Sequence, residues 1–184
     1  MMRKLIISAA AAASLVSLAA LQGSTLQRLK LNDMILKSTM IVRGNIQPGT
    51  SAAMRGPLIY THFQINVETA YKGSPSKVID LAVPGGALNM IQQPVAGAPL
   101  LIPEQDYVFF LWTSRSGLTQ VIGLSQGLFN VTTNAQGQVM VSRGASSEPM
   151  VNSSGQIVTD IGLQMPLAQL ISQIQTVLAG GTGQ

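Results

Sequence analysis

The chain has 184 residues, of which 46% are apolar, 10% charged and 4% aromatic, with one histidine and no cysteine. Without cysteine there can be no disulfide framework, cysteine metal site, iron–sulfur cluster or cysteine nucleophile. A single histidine, His62, also excludes a catalytic zinc site that takes two or three imidazoles from one chain. The chemical inventory is poor, so we expect no enzymatic activity, no cofactor and no metal.

The N-terminus has the order of a secretory signal peptide. The basic residues Arg3 and Lys4 precede an apolar, alanine-rich run from Leu5 to Leu21, as the charged and apolar regions of an export signal do. We therefore expect residues 1–22 to be a signal peptide and the protein to be exported, to the periplasm or to the medium. An uncleaved anchor is the alternative, because the run approaches the roughly 18 to 20 residues that span a bilayer. After cleavage we expect no contact with a membrane.

The charge pattern argues against nucleic acid as a partner. Without Arg3 and Lys4, nine basic residues remain against seven acidic ones, a net charge of +2, and the basic residues are spread singly along the chain. Nucleic-acid binders instead gather lysine and arginine on one face. Another exported protein is the partner that we expect. Residues 23–184 have the length of a single domain that can bury roughly 70% of its unfolded surface.

The first half of the chain predicts one short helix followed by strands. Asn32 and Asp33 are placed to cap a helix that starts near Met34. Alternation over residues 40–46 predicts a strand, and residues 47–57 read as a polar loop.

The clearest alternation in the chain runs from Leu58 to Tyr71. Apolar side chains fall on one face and polar ones, His62 among them, on the other, which predicts a long, half-buried strand. A second short strand is predicted from Val78 to Val83, after a turn.

The second half predicts a loop, more strands and a final helix. Residues 85–106 hold several prolines and glycines and read as a long ordered loop. Residues 107–112 are apolar on both faces, as in a central strand, and residues 118–124 and 128–132 predict two further strands. The pattern Asn-x-x-Gly-Gln-aliphatic occurs at Asn134 and again at Asn152, and each copy reads as a turn that leads into a strand. Helical spacing predicts an amphipathic C-terminal helix, carried by Leu167, Leu170, Ile171, Ile174 and Leu178.

Two segments match the residue patterns of catalytic motifs, but the secondary structure predicted around them differs from that of the motifs. Residues 123–127 read Gly-Leu-Ser-Gln-Gly, the G-x-S-x-G of a serine nucleophile, but a predicted strand follows where that elbow needs a helix. Residues 74–77 read Ser-Pro-Ser-Lys, the S-x-x-K dyad, but they lie in a turn between two strands. A serine hydrolase that uses Ser125 and His62 therefore remains the less favoured alternative.

Two side chains stand out as candidates for binding. His62 lies on the polar face of the long strand, where a solvent-exposed surface position is the main expectation and a binding or pH-sensing role the alternative. Trp112 can anchor a partner through its indole, although the apolar sequence around it favours a place in the core.

Four segments resemble a known architecture. They are residues 38–46, residues 67–73 with their Tyr-Lys-Gly end, the Pro84-Gly85-Gly86 loop and residues 107–111. Together they resemble uncharacterised exported bacterial proteins whose pattern is similar to the OB-type barrel of tissue inhibitors of metalloproteinases and netrin modules. Those inhibitors chelate the protease zinc through an N-terminal cysteine, which this chain lacks, so that mechanism does not carry over.

The resulting prediction is a mostly β fold: a small OB-like barrel, closed or partly open, with a short N-terminal helix and an amphipathic C-terminal helix. OB-type barrels commonly act as binding modules. We expect a non-catalytic binding protein whose contacts lie on residues 84–106 and on the strand face that carries His62. The alternatives are an inhibitor-like partner of a co-exported protease and the serine hydrolase. The candidate binding residues are His62, Gly85, Gly86, Trp112 and Arg115.

Overall fold

A computed structural model describes residues 25–180 of the protein. The predicted signal peptide over residues 1–22 lies outside the described residues. Within them the fold is mostly β, with two α-helices, as predicted.

Most strands belong to one large sheet, and the remainder form two small ones. Their bounds are β1 Leu26–Gln27, β2 Met40–Ile46, β3 Ser51–Arg55, β4 Leu58–Lys72, β5 Val78–Pro84, β6 Gly86–Leu88, β7 Ile91–Gln93, β8 Asp106–Thr113, β9 Thr119–Val121, β10 Leu128–Thr133, β11 Val139–Arg143, β12 Met150–Val151, β13 Ile157–Val158 and β14 Leu163–Pro166. The helices are α1 Leu31–Lys37 and α2 Leu167–Leu178, and one 3-10 turn covers Leu124–Gly127.

Strand β4 organises the large sheet, whose order is β14-β11-β10-β8-β2-β4-β3, with β5 on β4 and β9 on β8. On one edge of β4, β3 pairs antiparallel with its first residues and β2 with its last. On the other edge, β5 pairs with residues 61–66. Fifteen residues of alternating polarity make this possible, because one long strand can carry two shorter neighbours in succession.

The two free sides of this sheet approach each other without joining. Strands β5 and β9 lie close together, but within residues 25–180 no strand pairing connects them. The closed form of the predicted barrel is therefore not confirmed. The described sheet is open along a seam between β5 and β9.

The large sheet separates two apolar cores, and β8 contributes to both. Val108 and Phe110 join a helix-side core with α1 and α2, where the rings of Phe110 and Phe129 lie 5.5 Å apart. Tyr107 and Phe109 face the opposite way, into a strand-side core formed by β2, β4, β5 and β9. A strand covered on both faces must be apolar at every position, as residues 107–111 are.

Both helices pack onto the helix-side core. The C-terminal prediction is confirmed, since α2 buries Leu170 and Ile174 at helical spacing. The capping prediction at Asn32 and Asp33 is wrong, because both residues lie inside α1 and its N-cap is Lys30, without a side-chain hydrogen bond.

Six strands are not predicted by the sequence pattern: β1, β3, β6, β7, β12 and β14. Residues 51–55, which read as a polar loop, form β3. The predicted loop over residues 85–106 contains the β6–β7 hairpin, whose two turn residues, Asn89 and Met90, have positive φ angles of 49° and 63°. Such angles belong to a type I′ turn, which usually needs glycine at its second position.

Candidate functional site

Three hairpins meet at one end of the large sheet, which we call the hairpin end. They are the β3–β4 turn, the β6–β7 hairpin and the β8–β9 turn. Gln93 of β7 ties the first two, since its Oε1 accepts from the backbone N of Ile59 at 2.6 Å and its Nε2 donates to the Pro57 carbonyl at 3.1 Å. Arg55 ties the first and third, through a 3.0 Å hydrogen bond from Nη1 to Ser116 Oγ.

Gly85 and Gly86 are needed by the backbone at this end. Gly85 donates its N–H to the Ile59 carbonyl at 2.7 Å, and the hydroxyl of Thr61 donates to the Gly85 carbonyl at 2.8 Å. Both glycines have positive φ, at 99° and 136°. A Cβ on Gly86 would overlap Thr61 Oγ1, and one on Gly85 would lie 2.9 Å from the Gln93 carbonyl oxygen. The two glycines thus shape the site through backbone geometry.

A shallow, widely open apolar cleft of about 330 Å³ lies beside these glycines. It runs between the start of β4 and end of β5 on one side and residues 93–100 on the other. Its lining includes Thr61, Phe63, Val83, Gly85, Gly86 and Leu100, and none of its lining residues is charged. Leu100 is 82% exposed at the rim. The cleft suits an uncharged, apolar ligand.

The hairpin end also exposes large apolar side chains. Met90, at the apex of the β6–β7 hairpin, is fully exposed, and Ile91 beside it is 55% exposed. Met54 and Leu58 project from the β3–β4 hairpin. Trp112, at the end of β8, is 44% exposed, so the expectation of a core position for it is wrong.

The charged residues at the tips of the three hairpins are both basic. Arg55 is the last residue of β3, before the β3–β4 turn, and Arg115 lies in the β8–β9 turn; both are exposed. The chain has no charged residue between Asp80 and Glu104, so the β6–β7 hairpin and the cleft wall beyond it are uncharged.

His62 is half-buried rather than fully exposed, with 20% of its side chain accessible. Its Nδ1 lies 2.9 Å from Asp80 Oδ2, and the other oxygen of Asp80 accepts from Gln64 Nε2 at 3.0 Å. Ser125 does not join this pair. It lies in the 3-10 turn, where its backbone N donates to the Gly97 carbonyl, and no hydrogen bond connects it to His62 within residues 25–180.

The serine that strand pairing places opposite His62 is Ser51 of β3. The sequence pattern does not point to Ser51, because residues 47–57 predict a polar loop and not a strand. No hydrogen bond joins the Ser51 and His62 side chains in the described part of the chain. The His62–Asp80 pair therefore stands on a strand face, with Ser51 as its cross-strand neighbour.

Two further ion pairs lie away from the hairpin end. Arg43 donates from Nε to Asp106 Oδ2 at 2.9 Å, on the side of the sheet that faces the helices. Arg143 and Asp160 form a buried ion pair. Among residues 25–180, no three histidine, aspartate or glutamate side chains are close enough to share a metal ion, and no helix has the length and apolarity needed to cross a bilayer.

Comparison with protein-family models, with curated proteins and with solved structures finds no match.

The five predicted site residues lie on elements around β4 but do not form one cluster of contacts. Trp112 and Arg115 belong to the hairpin end, and Gly85 and Gly86 line the cleft. His62 lies on the outer face of β4, paired with Asp80. The prediction omitted Met90 and Arg55, and the absence of charge from residue 81 to residue 103 is the sequence signal that points to this end.

Proposed function

We propose that this chain is a non-catalytic binding protein of the exported fraction, and that its apolar cleft holds an extended, uncharged stretch of another exported protein. The observation that carries the proposal is the uncharged cleft between β4, β5 and residues 93–100. A concave apolar site with few polar groups is the usual form of a binding site.

The backbone around the cleft supports an extended occupant. The Thr61 hydroxyl and the Gly85 carbonyl already bond each other, so this wall presents mainly apolar surface. Phe63 and Val83 form its floor and Leu100 its rim. Alternate apolar side chains of an extended segment can therefore enter it while the rest of the segment stays in water.

The proposed fold is a partly open OB-like barrel. Strands β2, β4, β5, β8 and β9 surround the strand-side core, and the seam between β5 and β9 leaves the sheet open. In OB-type barrels a strand face and the adjoining loops commonly bind ligands. The cleft lies in the corresponding kind of place, between strand ends and the 93–100 loop.

Site-specific photo-crosslinking tests the proposal. A benzophenone amino acid at Leu100, which is 82% exposed at the rim, is expected to capture a discrete protein from the secreted fraction. The matched control is Ile157, which is 88% exposed on β13, in a separate three-stranded sheet, and is expected to capture none. The substitution Ala98→Arg, which places a charge in the cleft, should abolish the Leu100 product. Identical products from both positions would overturn the proposal.

The alternatives have their own readouts. A serine hydrolase predicts covalent labelling by a serine-directed phosphonate that disappears with Ser125→Ala or with Ser51→Ala. An inhibitor of a co-exported protease predicts that the captured partner is a protease bound in a one-to-one complex. The mass of the exported form will show whether residues 1–22 are removed.

A further inference from the structure

We propose that the hairpin end binds the surface of an anionic membrane, with Met90, Ile91 and Trp112 entering the interface and Arg55 and Arg115 contacting lipid phosphates. This activity goes beyond the proposed function and uses a different surface from the cleft. It also departs from the sequence-based expectation of no membrane contact.

The apex of the β6–β7 hairpin exposes a large apolar side chain. Met90 is 105% exposed relative to a free residue, so it projects clear of its neighbours. Its φ of 63° lies in the left-handed region, where glycine is the favoured residue. The hairpin thus holds a large apolar side chain at its apex in an unfavourable conformation. No neighbouring side chain covers Met90, so its transfer from water to the acyl boundary of a membrane lowers the free energy.

The hairpin end also exposes an indole, on the β8–β9 hairpin that Arg55 ties to the β3–β4 turn. Trp112 ends β8 next to the β8–β9 turn and is 44% exposed. Tryptophan favours the boundary between headgroups and acyl chains, because its ring is apolar and its N–H is polar. Met54 and Leu58, on opposite faces of the neighbouring β3–β4 hairpin, are 56% and 37% exposed and add apolar groups to this end.

The charge of the hairpin end is complementary to an anionic surface. The segments that build this end, residues 51–61, 84–94 and 111–121, carry Arg55 and Arg115 and no carboxylate. Asp80 lies on β5 opposite Gln64, where it is bonded to His62 and Gln64. A basic residue near an anionic surface strengthens binding about fivefold. The two arginines favour an anionic surface over a neutral one.

A protein partner is the competing occupant, and the arrangement favours lipid over it. The apolar groups stand on the tips of separate hairpins, with Met90 the most exposed, rather than lining one pocket. A fluid interface accommodates such separate tips without a matching shape.

Trp112 provides the test, because it is the single tryptophan of the chain. We expect its emission to shift to the blue and its quenching by acrylamide to fall when the full chain meets vesicles of phosphatidylglycerol and phosphatidylcholine. Pure phosphatidylcholine should give a much weaker response. The readout is local to the hairpin end, so binding through residues 1–22 alone would leave it unchanged.

Charge and apolarity are tested separately. Arg55→Glu with Arg115→Glu should reduce vesicle affinity at least tenfold and remove its dependence on salt. Met90→Asp should have a similar effect, whereas the control Ile157→Asp should have none. Vesicle binding without a change in Trp112 emission, or capture of a protein by a crosslinker at Met90 with no lipid response, would overturn the inference. No other protein is present in the vesicle experiment, so its failure leaves the cleft proposal intact.

Discussion

Arg143 and Asp160 form a two-pronged ion pair that is almost wholly buried. Arg143 Nη1 lies 2.7 Å from Asp160 Oδ2, and Nη2 lies 3.0 Å from Oδ1. The side chains are 5% and 0% exposed. The backbone N–H of Ser146 donates to the same carboxylate at 2.8 Å, and Arg28 lies 3.9 Å from it. The pair thereby joins the end of β11 to the segment that leads into β14.

Removing one partner of this pair should be costly. Asp160→Leu leaves the buried guanidinium of Arg143 uncompensated, and we expect the free energy of unfolding to fall by about 3 to 5 kcal/mol. Urea denaturation measures this loss. The double variant Arg143→Leu, Asp160→Leu should lose less than the single one, since no buried charge remains. Equal losses from the single and double variants would contradict this account.

The same carboxylate should make the fold sensitive to acid. Burial by itself would raise the pKa of Asp160, but the hydrogen bonds from Arg143 and Ser146 and the Arg143 charge hold that pKa below its usual value. Its stabilising contribution is therefore complete above the unfolded pKa of about 4 and is lost as pH falls through the lower folded pKa. Urea midpoints should drop below about pH 4. With Asp160→Asn that drop should be smaller, and an unchanged slope would count against the assignment.

Gly86→Ala should destabilise the hairpin end. The new Cβ would overlap Thr61 Oγ1, and a φ of 136° is unfavourable for any residue with a side chain. Gly137→Ala is the matched control, because it also has positive φ, at 78°, but its Cβ would meet nothing within 4 Å. Thermal melting should show a clearly larger loss for Gly86→Ala than for the control, for which about 1 kcal/mol is expected.

Lys72 should contribute more to the stability of the fold than the other lysines do. Its Nζ donates to the carbonyls of Ile35 and Leu36, at 2.7 and 2.9 Å, and so satisfies acceptors at the end of α1 that lack helical partners. Lys72→Met is expected to cost about 1.5 to 3 kcal/mol. Lys77→Met, at an exposed site, should stay within about 0.5 kcal/mol of the parent chain. Chemical denaturation of the two variants tests the difference.

Met90→Gly should stabilise the chain while weakening its binding to vesicles. Glycine adopts the φ of 63° without the steric cost that methionine bears, a gain of about 1 kcal/mol. Asn89→Gly should gain less, because asparagine tolerates the left-handed region. The melting temperature and the Trp112 emission shift can be measured on the same samples. A variant that is both more stable and a better lipid binder would contradict the role given to Met90.

Sequence reasoning succeeded where periodicity is long and failed where elements are short. The sequence predicts strand β4 and helix α2 almost to the residue. Fourteen alternating positions are compatible only with a strand, and apolar residues repeated at helical spacing are compatible only with a helix. Strand β3 was missed because Ala52, Ala53 and Met54 carry no alternation. The β6–β7 hairpin was missed because its turn lacks glycine. In these cases pairing with β4 or β7 outweighs local preference.

The candidate site was predicted only in part, for a related reason. Gly85, Gly86, Trp112 and Arg115 were named, but their surroundings depend on contacts between distant segments, such as Gln93 with Pro57. Trp112 is exposed because β8 extends beyond the two cores at this residue. Its neighbours in the sequence are apolar and therefore favour a buried position.

The length of β4 has a mechanical consequence. Fifteen residues in extended conformation reach roughly 50 Å, so this strand passes along the strand-side core, where it buries Ile65, and continues to the hairpin end. The exposed residues Met54, Leu58 and Met90 at that end belong to neither core, so substitutions there leave the central packing unchanged. Recognition properties of such a scaffold can therefore diversify during evolution without eroding its foldability.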